Sequence, residues 1–193
     1  MLKLFLFFSL FVFNLSSSQV EKNILIIADS IGVGIKGEKP FPVILQALIP
    51  DHHVINNSIG GSMYLSAPDR LLTVLSNQRI DILVITLGIN DLGGKRPLKE
   101  IYDNALRIVQ ECKKRNIKLF MGIVEAHSFH WMTNDYSYEN KFDSIFTYLK
   151  NKLGIKTFLF LGKDMQKYTY DGFHLNDDGQ KIMANRIKSI IQL

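Results

Sequence analysis

Serine, aspartate and histidine occur at two distant points of the chain in positions that suit nucleophilic catalysis. Ser30 closely follows an apolar run at residues 24–27, and Asp171 and His174 lie three apart near the carboxyl end. A serine hydroxyl is a poor nucleophile until a base takes its proton, and histidine is the usual base because it titrates near neutrality. A carboxylate then fixes the imidazole tautomer. Ser30, His174 and Asp171 are therefore candidates for nucleophile, base and orienting acid. The alternative is that Ser30 and Asp171 merely cap the helices that follow.

Acyl transfer also needs hydrogen-bond donors aimed at the oxyanion that develops on the substrate carbonyl. The backbone N–H of Ser30 is one candidate. The N–H of Gly61 is a second, because glycine lets the backbone approach a substrate closely. The side-chain amide of Asn90 is a third. Each has a structural alternative, since Gly60 and Gly61 are typical of a turn and Asn90 of a helix cap.

Apolar runs alternate with amphipathic segments along most of the chain. Strands are predicted at residues 24–27, 53–56, 82–87, 117–124 and 157–161, and helices at about 41–49, 68–77, 97–115, 142–149 and from about 176. Residues 125–138 show no clear period and are predicted to form a surface loop. His127 and His130 are expected to be exposed to solvent, and the alternative is that either lines a pocket. Alternating strands and helices favour a parallel sheet covered on both faces. Right-handed crossovers then bring all the strand-to-helix loops, with the candidate residues, to one edge of the sheet.

The amino terminus has the pattern of a secretory signal peptide. Residues 4–15 are almost wholly apolar, Lys3 precedes them and three serines follow at 16–18. This run is short for a membrane span, so we expect cleavage after Ser18, export to the periplasm or medium, and one domain at 19–193. A retained membrane anchor is the alternative. Loss of Lys3 lowers the formal net charge from +5 to +4, which is too weak and too scattered to indicate a nucleic-acid partner. Cys112 is the only cysteine, which excludes an intramolecular disulfide.

Four segments resemble, in order, the four sequence blocks of the SGNH (GDSL) hydrolase superfamily. They are Ala28-Asp29-Ser30, Gly61, Gly88-Ile89-Asn90-Asp91 and Asp171-Gly172-Phe173-His174. The rest of the chain is most similar to the small exported esterases, thioesterases, lysophospholipases and arylesterases of that superfamily. Two positions depart from the pattern, with Ala28 in place of a glycine and Ser62 where many relatives carry aspartate.

This resemblance implies a three-layer flavodoxin-like α/β fold with a central five-stranded parallel sheet. It also implies Ser30 as nucleophile, His174 as base and Asp171 as its partner. The oxyanion hole would be formed by the N–H groups of Ser30 and Gly61 and by Asn90, with Gly60 as an alternative to Gly61. The resemblance implies no metal or organic cofactor.

The expected activity is that of an exported serine esterase for short acyl esters, thioesters or lysophospholipids. The alternatives are a carbohydrate or cell-envelope O-acetylesterase with the same triad, and a non-catalytic flavodoxin-like binding protein. The last is disfavoured because the loop after Ser30 lacks the lysine of a phosphate-binding loop. The expected partners are a small-molecule substrate and, transiently, a membrane surface, and the protein is expected to be a monomer. Candidates for lining a substrate pocket are Asp29, Phe41, Gly60, Met63, Tyr64, Phe129, Trp131 and Phe173.

Overall fold

Five parallel strands form the central sheet of the computed structural model, which describes residues 20–191. The strands are β1 (Asn23–Ala28), β2 (His53–Ser58), β3 (Ile82–Thr86), β4 (Lys118–Val124) and β5 (Lys156–Leu161), in the order β2-β1-β3-β4-β5. β1 and β3 are buried on both faces, which explains their continuous apolar sequences. The α/β fold with a five-stranded parallel sheet confirms the predicted fold class. The predicted signal peptide, residues 1–18, lies outside the described residues.

Helices cover both faces of the sheet. They are α1 (Ser30–Val33), α2 (Phe41–Leu48), α3 (Ala67–Leu75), α4 (Ile89–Gly93), α5 (Leu98–Lys114), α6 (His130–Thr133), α7 (Tyr136–Leu153) and α8 (Asp177–Ile191). α8 packs against α2, whereas α3, α5 and α7 lie side by side. Right-handed crossovers place these two groups on opposite faces. Within residues 20–191, no helix is both long and apolar enough to cross a membrane.

The chain reverses its direction of progress across the sheet beside β1. It leaves β1 for the edge strand β2 and then returns to β3 on the other side of β1. In open α/β sheets, ligands bind at such a switch point, outside the carboxyl ends of the strands. The loops after β1, β2 and β3, which carry Ser30, Gly61 and Asn90, all lie there.

A buried glutamine ties the last helix to the beginning of the fold. The Gln180 side-chain carbonyl accepts the N–H of Phe41 at 2.8 Å, and its amide donates to the carbonyl of Ile31 at 3.0 Å. Gln180 is fully buried, so both of its polar atoms need partners inside the protein. The side chain therefore joins α8 to α1 and α2.

The prediction of a surface loop at residues 125–138 is wrong. The segment forms a 3₁₀ turn (Ala126–Phe129), then α6, and α7 already begins at Tyr136. The fully buried carboxylate of Glu139 organises it: Nδ1 of His127 lies 3.0 Å and Nδ1 of His130 2.7 Å from its two oxygens, and Thr133 also donates to it. His127 is exposed as predicted, whereas His130 is partly buried, and both are hydrogen-bonded to the Glu139 carboxylate. These contacts join side chains up to 12 residues apart, which no helical or strand period reveals.

Candidate active site

The structure brings Ser30, His174 and Asp171 into one hydrogen-bonded series. Ser30 Oγ lies 3.0 Å from His174 Nε2, and His174 Nδ1 lies 2.7 Å from Asp171 Oδ2. Burial raises the pKa of Asp171, but hydrogen bonds from the His174 ring and from backbone N–H groups outweigh it and leave this pKa below its usual value. Asp171 is thus an ionised acceptor. His174 Nδ1 donates to it, which leaves Nε2 free to accept the Ser30 proton.

The loop before α8 holds the acid and the histidine in register. Oδ1 of Asp171 accepts the backbone N–H of His174 at 2.9 Å, and the Tyr170 N–H donates to the carbonyl of His174 at 2.8 Å. Gly172 makes this tight turn possible because its φ of 102° is a conformation that other residues rarely adopt. The same carboxylate therefore anchors both the ring and the backbone of His174.

The capping alternatives do not describe these residues. Asp29, not Ser30, caps α1, since its Oδ1 accepts the N–H of Ile31 at 3.0 Å. At the start of α8, Asn176 rather than Asp171 accepts a helix N–H, that of Gly179 at 3.0 Å. Asn90 lies inside α4 with its amide donating outward from the helix. The functional groups of Ser30, Asp171 and Asn90 are thus not used as helix caps.

The candidate oxyanion donors besides the Ser30 N–H are the Asn90 amide and the N–H groups of Gly60 and Gly61. Nδ2 of Asn90 donates to the carbonyl of Ser62 at 3.1 Å and makes only a long 3.4 Å contact with Asp29. Gly61 has a φ of 72°, so the turn requires glycine there. Within residues 20–191, the N–H groups of Gly60 and Gly61 find no acceptor. Both therefore remain available, and the choice between them stays open.

Two buried carboxyl groups lie beneath these donors. Burial raises the pKa of Asp29 to about 7 and that of Asp91 to about 6. Asp91 accepts the backbone N–H of Tyr64 at 3.1 Å. Because Asp29 is fully buried and caps α1, its prediction as a substrate-contacting residue is wrong. It instead supports the turn that presents Ser30.

Arg70 on α3 connects the strand ends to the Gly61 loop. Its guanidinium donates to Asn57 Oδ1 at 2.8 Å, to Ser62 Oγ at 2.9 Å and to the carbonyl of Ala28 at 3.3 Å. It also donates to the carbonyl of Asn57. One side chain thus spans the carboxyl ends of β1 and β2 and the loop of Gly61. The sequence analysis missed this residue, because an arginine in an amphipathic helix normally points to solvent.

A groove of about 420 Å³ opens beside Asn90. It is lined by Met63, Ile89, Asn90, Gly93, Gly94, Trp131 and Met132. Trp131 is 61% exposed and stacks on Phe173, with 6.4 Å between the ring centroids. The centroid of the Phe173 ring lies 4.1 Å from that of the His174 ring. The structure therefore places three of the predicted pocket residues, Met63, Trp131 and Phe173, at or near this groove. The sequence did not predict the other lining residues, Ile89, Gly93, Gly94 and Met132.

Three predicted pocket aromatics are instead part of the core. Phe41, Tyr64 and Phe129 are fully buried. Tyr64 packs on Phe146 with 5.7 Å between the ring centroids, and Phe41 packs on Phe160 with 6.5 Å between them. Their prediction as pocket-lining residues is wrong, because residue type alone does not tell which side of a loop a ring faces. In the described part of the chain, no group of three or more His, Cys, Asp or Glu side chains is placed to hold a metal ion.

A family model described as the GDSL-like lipase/acylhydrolase family matches residues 27–182. No curated protein sequence matches the chain.

Several solved structures share the fold. The psychrotrophic esterase EstA from Pseudoalteromonas sp. is 23% identical with a TM-score of 0.75, over 89% of this chain and 97% of its own. TesA is 19% identical with a TM-score of 0.73, over 89% of this chain and 98% of its own. The acetyl xylan esterase AlAXEase is 20% identical with a TM-score of 0.67, over 88% and 99%.

Proposed function

Because the chain belongs to the GDSL-like lipase/acylhydrolase family and is an esterase, we propose that it cleaves carboxylic esters or thioesters through an acyl-serine intermediate on Ser30. The observation that carries this proposal is the 3.0 Å contact between Ser30 Oγ and His174 Nε2. The 2.7 Å contact between His174 and Asp171 supports it.

In the proposed acylation step, Ser30 Oγ attacks the carbonyl carbon while its proton moves to His174 Nε2. The electron pair of the C=O bond moves onto the oxygen, and Asp171 stabilises the imidazolium that forms. The tetrahedral intermediate then expels the alcohol or thiol, which takes the proton from Nε2. A water molecule repeats the sequence on the acyl-enzyme, giving its proton to Nε2 and releasing the acid. Ser30 Oγ recovers its proton last.

The oxyanion is proposed to be bound by the N–H groups of Ser30 and Gly61 and by the Asn90 amide. One N–H of Asn90 is already held by the Ser62 carbonyl at 3.1 Å, which fixes the orientation of the amide. Its long 3.4 Å contact with Asp29 is weak enough to be exchanged for the oxyanion. Such preorganised donors stabilise the transition state without needing to reorient during the reaction.

Short acyl esters are the substrates that the groove beside Asn90 favours. Its methionine and tryptophan lining suits an apolar acyl chain. A second candidate is a carbohydrate O-acetylesterase, for which the observation is the exposed Trp131 ring, which stacks on Phe173 beside His174. Lysophospholipids remain a further candidate, since they are esters of the same chemical type.

The test is a substrate panel combined with an active-site probe. Wild-type protein and Ser30→Ala are compared on p-nitrophenyl acetate, butyrate and octanoate, on a lysophospholipid, on acyl-CoA and on acetylated xylan. A fluorophosphonate probe is expected to label the wild type but not Ser30→Ala. Ser144→Ala, on the exposed face of α7, is the matched control and should behave like wild type. Wild-type protein that resists the probe, or unchanged turnover in Ser30→Ala, would overturn the assignment of the nucleophile.

We also propose that the protein is exported as a monomer after removal of residues 1–18. The small-residue pattern at 16–18 supports this cleavage site. Intact mass spectrometry of the protein recovered outside the cytoplasm should give a chain beginning at residue 19. A full-length chain in the membrane fraction would favour the retained anchor instead.

A further inference from the structure

Positive charge collects at the edge of the sheet opposite the candidate active site. The strands begin at this edge, and α5, α7 and α8 end there because they run antiparallel to the strands. We call it the basal surface and define it as residues 20–23, 49–53, 76–82, 111–118, 150–156 and 188–191. Its basic residues are Lys22, Arg79, Lys113, Lys114, Arg115, Lys118, Lys150, Lys152, Lys156 and Lys188, against four acidic residues, Glu21, Asp51, Asp81 and Glu111.

The rest of the described chain has the opposite balance. It carries twelve basic and fourteen acidic residues. The basal surface therefore has a formal surplus of six positive charges, whereas the remainder, which includes the candidate active site, has a surplus of two negative charges. The modest net charge of the chain conceals this separation. Charge arranged in this way gives a protein a preferred orientation toward an anionic surface.

The basal lysines are not neutralised by neighbouring acids. Arg79 pairs with Asp81, and Arg115 pairs with Glu111. The six exposed lysines, for which we find no ion pair in residues 20–191, are Lys113, Lys114, Lys150, Lys152, Lys156 and Lys188.

Like charges also crowd one another within the basal surface. Lys118 and Lys156 approach the same Phe120 ring, at 5.2 and 5.7 Å from its centroid. Burial lowers the pKa of Lys118, and the charges of Lys156 and Lys22 lower it further. Such repulsion is relieved when an anionic surface approaches.

A shallow groove with an apolar floor lies within the basal surface. Its volume is about 230 Å³, and it lies between the carboxyl ends of α5 and α7. Lys113, Lys118 and Lys156 contribute its charges. Its apolar side chains are Val109, Cys112, Ile117, Leu119, Leu153 and Ile155. An apolar floor with a cationic rim complements the glycerol and phosphate region of an anionic lipid.

Two observations favour a lipid surface over nucleic acid. The basal surface contains no Phe, Tyr or Trp, whereas surfaces that bind single-stranded nucleic acids use aromatic rings to stack bases. The groove in the basal surface also has an apolar floor, which suits a lipid better than a nucleic-acid backbone.

We propose that the basal surface docks the protein on a bilayer rich in anionic phospholipid, with the edge that carries Ser30 facing the aqueous phase. Each lysine close to such a surface strengthens binding by roughly fivefold at low salt. Docked in this orientation, the enzyme takes its ester from the aqueous side and not from the bilayer that holds it.

Vesicle co-sedimentation of the protein that begins at residue 19 tests this surface. Vesicles containing phosphatidylglycerol are compared with pure phosphatidylcholine at about 50 and about 500 mM salt, because screening shortens the range of the attraction. Wild-type protein should bind the anionic vesicles at least about a thousandfold more tightly at low salt and lose this preference at high salt. Equal binding to both lipids would overturn the proposal.

Two variants of equal net charge locate the effect. The basal variant replaces Lys113, Lys114, Lys150 and Lys152 by Gln, and its preference for anionic vesicles should fall by roughly several hundredfold. The control variant replaces four exposed lysines outside the basal surface by Gln, namely Lys39, Lys99, Lys141 and Lys163. It should change this preference by less than about threefold. Equal losses in both variants, or tighter binding of wild type to duplex DNA than to the vesicles, would contradict the proposal. Hydrolysis of p-nitrophenyl acetate should continue in the vesicle-bound protein, and its loss would contradict the proposed orientation.

Discussion

Replacing Arg70 tests whether this side chain positions the proposed oxyanion hole. Arg70→Met keeps most of the aliphatic stem but removes every hydrogen bond of the guanidinium. The Ser62 hydroxyl loses its donor at 2.9 Å, and the Asn57 side chain loses its donor at 2.8 Å. The Ser62 carbonyl in turn holds the Asn90 amide. The substitution should therefore loosen the Gly61 loop and the Asn90 amide together.

The size of the effect follows from these contacts. Hydrogen bonds that involve a charged group contribute about 1.5–3 kcal/mol each. Arg70 is only half-buried, so water replaces part of what is lost, and we expect the free energy of unfolding to fall by about 2–4 kcal/mol. Complete removal of an oxyanion donor costs about 10²–10³ in rate. Donors that remain but are less well held should cost about tenfold to a hundredfold in kcat, with little change in KM.

The assay measures kcat and KM for p-nitrophenyl acetate well below the unfolding temperature, together with urea unfolding. Arg107→Met is the matched control, since Arg107 forms an exposed ion pair with Asp69 away from the site. It should lower neither kcat nor stability appreciably. Arg70→Lys restores one charged donor and should recover part of the lost kcat. A less stable Arg70→Met protein with wild-type kcat would refute the reasoning and leave Arg70 a purely structural role.

Three further substitutions probe other parts of the site. Asn90→Ala should lower kcat by about 10²–10³ while leaving the fluorophosphonate reaction detectable, and an unchanged kcat would remove Asn90 from the oxyanion hole. Burial raises the pKa of Glu139, but hydrogen bonds from Thr133 and the two neighbouring histidines leave it below its usual value. The stabilisation from its ionised form is therefore present above the usual glutamate pKa and is lost as the pH falls through the lower folded value. The difference in Tm between wild type and Glu139→Gln should accordingly shrink below about pH 4, and a difference independent of pH would contradict this. In Gly93→Ala, the new Cβ would lie 2.7 Å from the end of Met132, so hydrolysis of p-nitrophenyl butyrate should fall relative to acetate, and an unchanged ratio would argue against the groove as the acyl site.

The sheet could be predicted from the sequence because its strands are buried on both faces. β1 and β3 are short apolar runs with no polar interruption, which is the pattern of central parallel strands. The right-handed crossovers between parallel strands then place Ser30, Asn90 and His174 at one edge of the sheet. Ser30 was expected to pair with His174 because a serine nucleophile needs a histidine base. The structure places the two side chains in contact.

Other parts of the site depend on contacts that leave no local pattern. Arg70 bonds to strand ends up to 42 residues away, and nothing on α3 distinguishes it from a solvated arginine. The segment around Glu139 is held by side-chain hydrogen bonds and not by a repeating apolar face. Tyr64 and Phe129 are aromatic like the exposed Trp131, but their rings turn inward.

Ser30 and His174 are 144 positions apart in the sequence, which has a consequence for folding. The contact between the two side chains can form only after α8 has docked through Gln180 and the loop of His174 is held in place. A chain that has folded only its first strands therefore holds the proposed nucleophile without its proposed base. The appearance of hydrolytic activity can thus report on the completion of folding, because it requires segments that are far apart in the sequence to meet.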